Sequence, residues 1–194
     1  MDHVPPRGVF PRPLPVVLIT VPACGKCNGG ASANDERFRV YLAMATAHFN
    51  DDATRLWKEE ALRTLTKNRR LSREIAASMA SLRGTMAPEL GVPFHWPQSA
   101  YEPTLERMVR GLYWHHYRSV LGLGAACEVT MLNHLPKDFI QDSSDWVTTD
   151  VGGGVFTYRF ARAEDRPLFS VWVLQFFQSH WALVKTEPQQ LNCP

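Results

Sequence analysis

Cysteine is scarce in this chain, with four among 194 residues, and only Cys24 and Cys27 stand close enough for joint chemistry. Four thiols in so long a sequence do not make a disulfide framework, so the close pair reads as a metal or redox element. No apolar run approaches the roughly 20 residues needed to span a bilayer, which argues against a membrane protein. The N-terminus lacks a charged head followed by an apolar stretch, so no secretory signal is read and a cytoplasmic location is expected. Charge of one sign is also lacking, the net being +2. A polyanion would therefore have to bind a local patch rather than the whole surface. Repeats and low-complexity tracts are missing as well, which excludes solenoid architectures.

What is present is ordinary globular composition, with 45% apolar and 21% charged residues, enough to bury a proper core. The charge is unevenly spread. Residues 1–83 carry 13 Lys and Arg against 8 Asp and Glu, whereas residues 123–194 carry 5 against 8. Such a bias would suit a polyanion near the N-terminal half.

Residues 4–15 hold five prolines and form an irregular loop. The β-branched run Val16–Val21 predicts a strand. Pro22 closes it, and Cys24-Gly25-Lys26-Cys27-Asn28-Gly29-Gly30 follows. Asn34-Asp35-Glu36 reads as a helix start, continued by Phe38, Tyr41, Leu42, Ala45 and Phe49 at helical spacing. A second helix is expected from Asn50, with Leu56, Trp57, Ala61, Leu62 and Leu65 inward, and a third over Ser72–Arg83. Residues 87–99 read as a linker. A longer helix is expected over Thr104–Leu121, with Leu105, Met108, Val109, Leu112 and His116 on one face. In the last third, Val155–Arg162 alternates. With Leu168–Phe177 and Trp181–Lys185 it predicts a three-stranded antiparallel sheet, and Ala126–Thr130 is a possible fourth strand. Gly152-Gly153-Gly154 reads as a turn ahead of that set.

Two short elements could carry chemistry. A Cys-x-x-Cys turn aims two thiolates at one tetrahedral zinc, which needs two more ligands to close. A dithiol redox site is the competing reading. It calls for a long helix starting at the first cysteine, and Asn28-Gly29-Gly30 speaks against such a helix. Asp2-His3 is the second element: one side chain can hold a divalent metal while the other deprotonates water, a pairing suited to phosphodiester hydrolysis.

Read together, DHVPPRGVFPRPLPVVLITVPACGKCNGGAS resembles the core of bacterial HNH endonuclease-like proteins, of the ββα-metal type. The segment Arg110-Gly111-Leu112-Tyr113-Trp114-His115-His116 is similar to that group's middle region. The resemblance implies an HNH-type, metal-dependent DNA endonuclease in which His3 is the general base. Asp2 and Asn28 would hold a Mg²⁺-like ion, and Cys24 and Cys27 would be half of a structural Zn²⁺ site. Val16–Val21 would be the second strand of the hairpin and the segment after Cys27 its metal-bearing helix. Family members usually carry a further Cys-x-x-Cys before the Asp-His pair, and here Met1 stands immediately ahead of Asp2. The expectation is thus a module truncated before its first strand and first Cys-x-x-Cys, with Val17 where the family has its central Asn. The alternative is a catalytically inactive HNH-derived binding or scaffold protein.

Other residues read as structural. Adjacent residues on a helix diverge by about 100°, so His115 and His116 do not share an ion. Phe156, Tyr158, Phe160, Trp172, Phe176 and Trp181 are core aromatics of a sheet. Lys67, Arg69 and Arg70 form the densest basic cluster, a weak candidate for phosphate contact. The expected fold is α+β: a truncated zinc-knuckle module at residues 1–32, then an α+β body over 33–194. That body has helices over about 34–122 and antiparallel strands over about 126–186.

Overall fold

The computed structural model describes the chain except residues 16, 81–94, 123, 133, 137–138, 140–141, 143–144 and 190–194, and the side chains of residues 26–28. The architecture is α+β with a C-terminal antiparallel sheet, as the pattern predicts. A short hairpin comes first: β1 (Asp2–Val4) pairs antiparallel with β2 (Ile19–Val21), with His3 opposite Thr20. The strand read over Val16–Val21 thus has a partner, formed by the Asp-His segment itself. Three residues carry no strand signal of their own, and the strand exists through its pairing with β2.

Helix α1 follows directly and spans Gly25–Thr46. It begins nine residues before the expected start at Asn34, and it runs through Gly29 and Gly30. Two helical glycines cost about 2 kcal/mol relative to alanine. The burial of Phe38, Tyr41 and Leu42 farther along offsets this, each with 0% exposure. The residues after Cys24 are thus the first turns of a long helix rather than a glycine-rich loop. The objection drawn from Asn28-Gly29-Gly30 against a redox dithiol does not stand.

Asn50 caps α2 (Asp51–Leu56) by accepting from the Ala53 N–H at 2.9 Å. The same side chain donates to the Phe177 carbonyl at 2.9 Å, tying the helix to the sheet. A π-helical turn, Trp57–Ala61, leads into α3 (Leu62–Lys67). The wider turn shifts the helical phase. Leu62, expected inward, is consequently exposed. Helix α4 (Arg69–Ala80) starts three residues earlier than expected, where Asn68 caps it through the Leu71 N–H. Its expected end near Arg83, and most of the expected linker at 87–99, lie outside the described residues. Helix α5 (Glu102–Tyr117) buries Leu105, Met108, Val109 and Leu112 as predicted.

The sheet has five strands rather than three or four: β3 (Ala125–Leu132), β4 (Val147–Val151), β5 (Phe156–Arg162), β6 (Ser170–Phe176) and β7 (His180–Pro188). Their spatial order is β3-β7-β6-β5-β4. Strand β4 escaped the sequence reading because it is an edge with only Val151 buried. Gly152, Gly153 and Gly154 turn it into β5 at φ of 81°, 65° and 90°, a region open to glycine without strain. Alternation puts Phe156, Tyr158, Phe160, Trp172, Leu174 and Phe176 on the inner face, all buried. Helix α5 touches β3 and β7 of this sheet and also β1 and β2 of the hairpin. It is the element that fixes the N-terminal hairpin to the body.

The inner layer holds two histidines in the neutral form. Burial, helped by His115 and Arg118, pushes His116 down to about 4, and its Nε2 lies 2.9 Å from the Tyr158 hydroxyl. Burial alone takes His180 to about 4, stacked on Trp96. Both rings bind a proton more readily in the unfolded chain. Their stabilising effect is complete above pH ~6.5 and is lost as the pH falls toward 4. Urea unfolding at pH 7 and pH 4.5 is expected to differ by about 2 kcal/mol for each ring, after allowance for partial solvent screening. His116→Gln should remove one share of that dependence. An unchanged slope in the variant would show that His116 has the same pKa in the folded and the unfolded chain.

Candidate active site at the N-terminal hairpin

The strand pairing places Asp2 and Val4 toward α5, since successive residues of a strand alternate. The approach is close because α5 carries Gly111 at the crossing. A Cβ there would stand 2.7 Å from Val4 Cγ2 and 3.3 Å from Val21 Cγ2. One turn before Gly111, Arg107 reaches the hairpin, and its Nη1 lies 3.3 Å from Asp2 Oδ2. Its Nη2 is bound to the carboxylate of Asp35 on α1. Arg107 therefore links β1, α1 and α5 through two carboxylates. The other oxygen of Asp2 accepts the backbone N–H of His3 at 2.8 Å.

His3 lies beside Asp2 at the edge of two cavities. One, of about 380 Å³, lies between the hairpin and α5 and is shared with Asp2, Cys24, Arg107 and Trp114. The other is a polar cleft with Arg7, Ser32, Asp35, Glu36 and Arg39. Nδ1 of His3 is buried without a hydrogen-bond partner. Burial and the Arg7 guanidinium hold the imidazole below its usual range, against the opposing pull of Asp2. A neutral imidazole at neutral pH is the form that can take a proton.

Asp2, His3 and Cys24 are thus brought to one cavity. Cys27 and Asn28 lie on the first turns of α1, and their side chains are outside the described residues. Val17, expected from the resemblance to stand where an Asn orients the base, is 78% exposed and shares no cavity with His3 among those described. Lys67, Arg69 and Arg70 are exposed where α3 passes into α4. Of these, Arg70 borders a cleft with Glu36, and that cleft meets the His3 cleft at Glu36. Arg7, Asp35, Arg107 and Trp114 were not foreseen. The available signal was Gly111 inside an otherwise helical pattern, with Arg107 and Trp114 one turn to either side.

The donors were weighed against the two metals that the resemblance implies. Among the described residues no three His, Cys, Asp or Glu side chains converge as a ligand set. Mg²⁺ needs no such set, because one or two carboxylates, water and substrate phosphates hold it in many phosphoryl-transfer sites. Asp2 fits that requirement as a hard oxygen donor. A closed zinc site needs four ligands. Among the described side chains only Cys24 is placed for it, since Cys127 lies in the sheet with its thiol pushed up to about 11 by burial. The described residues supply no closed zinc site, and the Cys27 side chain of the expected half-site lies outside them. No helix of the described residues is long and apolar enough to cross a membrane. Comparisons with protein-family models, with curated proteins and with solved structures found no match.

Proposed function

We propose that the chain is a metal-dependent DNA endonuclease of the HNH type, acting in the cytoplasm on phosphodiester bonds. The observation that carries this reading is the hairpin-then-helix order at the N-terminus: Asp2-His3 on β1, paired with β2, which leads directly into α1. In this reading His3 takes the proton from a water whose oxygen attacks phosphorus, while the bond to the leaving sugar oxygen breaks. Asp2, together with Asn28, would hold a divalent ion, which supplies charge stabilisation at the phosphate when bound. Arg107 fixes the Asp2 carboxylate, and burial, helped by Arg7, lowers the His3 pKa and favours the neutral ring that can accept.

Supercoiled plasmid incubated with the protein and Mg²⁺ or Mn²⁺ is expected to become nicked. EDTA and His3→Ala should each suppress the nicking. Plasmid and circular single-stranded DNA both left intact by the unaltered protein would remove the nuclease reading.

The second reading is a catalytically inactive HNH-derived binding or scaffold protein. Two observations favour it: the Arg107 guanidinium already neutralises Asp2, and an exposed Val17 replaces the residue that would orient the base. Salt-sensitive DNA binding without cleavage is its expected signature.

A further inference from the structure

The cavity between the β1–β2 hairpin and α5 has a chemistry that phosphodiester hydrolysis does not require. Its volume, about 380 Å³, lies in the range of roughly 300–1,000 Å³ typical of small-molecule sites. Val4, Val21, Met108 and Leu121 supply apolar walls, and the half-buried ring of Trp114 supplies a flat one. Polar groups gather at one side, where Asp2, His3 and Arg107 border the same space. Arg107 Nη1 is buried there, 3.3 Å from Asp2 Oδ2 in an ion pair and without a closer hydrogen bond, and a guanidinium N–H is a strong donor to a phosphate oxygen. Arg118 covers one face of the Trp114 ring at 4.7 Å, so a base would stack on the other.

We propose that this cavity receives the base of an unpaired nucleotide whose phosphate lies against the Arg107 guanidinium, so that single-stranded DNA is the preferred substrate. The proposal rests on the nuclease reading above and narrows its substrate class. A flat apolar slot beside a guanidinium matches a nucleotide, one end π-faced and the other anionic. Every base offers a π-face to an aromatic ring, so the slot selects strand state and not sequence. In an intact duplex those faces are covered by neighbouring pairs, and entry demands flipping the nucleotide out of the stack. A single strand bears little of that cost. The close packing of Gly111 on Val4 sets the floor, and a larger residue at position 111 would lift the hairpin away from α5.

The test is equilibrium binding of a short fluorescein-labelled oligonucleotide, single-stranded and as the matched duplex, by anisotropy in EDTA so that nothing is cleaved. The unaltered protein is expected to bind the single strand roughly tenfold more tightly. Trp114→Ala should weaken single-strand binding by roughly tenfold, with duplex binding changed by less than about twofold, and Trp114→Phe should restore most of the difference. Equal affinity for the two forms in the unaltered protein would overturn the proposal, and so would a Trp114→Ala loss shared by both. Cleavage of circular single-stranded DNA with Mg²⁺, run beside the plasmid assay, separates the two readings. Strand preference in binding with neither DNA cut would keep the cavity's ligand and remove the nuclease, whereas cleavage without strand preference would do the reverse.

Discussion

His3→Ala is expected to lower the rate of DNA cleavage by about 10²–10⁴-fold, the range that a positioned general base contributes. The loss should fall on the chemical step, leaving DNA affinity within about twofold, because the phosphate is held by charge and not by the imidazole. The pH profile supplies the discriminating detail. Burial and Arg7 lower the pKa of His3 from its ordinary 6.5, so the base is neutral throughout the physiological range. The rate should be flat from pH ~7 to ~8 and decline on acidification, with a midpoint below about 6.5. Arg7→Ala removes a neighbouring positive charge and should move that midpoint upward. A rate undiminished in His3→Ala would assign the water to another group. A midpoint unmoved by Arg7→Ala would mean that the titration belongs elsewhere.

The Asp-His pair was legible because carboxylate and imidazole are adjacent in sequence, and the Cys-x-x-Cys-Asn segment because its spacing is short. What holds Asp2 in place was not legible. Arg107 reaches it only when α5 crosses the hairpin, and Asp35 joins them from a third element. No local spacing encodes a contact among three such segments. The aromatic alternation of β5 was readable because one face is fully buried, and every second residue had to be apolar. Strand β4 gave no such pattern, since an edge strand with one buried residue looks like a loop. Helix α1 was misjudged at its start for the opposite reason. Local propensity argued against Gly29 and Gly30, whereas the packing of Phe38, Tyr41 and Leu42 decides the matter. Tertiary burial overrode propensity there.

Gly111→Val is expected to separate the hairpin from the body. An added Cβ would stand 2.7 Å from Val4 Cγ2, closer than real contacts allow, and 3.3 Å from Val21 Cγ2. Both valines are buried and could make room only by turning into the cavity beside α5. Overpacking of this kind costs about 1–3 kcal/mol. The response should be local, because β1 is a three-residue strand at the chain's beginning and gives way more easily than α5. Amide exchange at Val4 and its cross-strand partner Ile19 should accelerate, while the sheet amides of β6 stay protected. Moving Asp2 and His3 by about 1 Å is enough to cost roughly 10²-fold in cleavage. Gly111→Ala grades the effect: helix propensity favours it by about 1 kcal/mol, offsetting much of the smaller clash. Alanine should therefore leave stability nearly unchanged while still slowing cleavage. If valine at this position disturbed neither hairpin exchange nor activity, the seating of β1 on α5 would not be what positions Asp2 and His3.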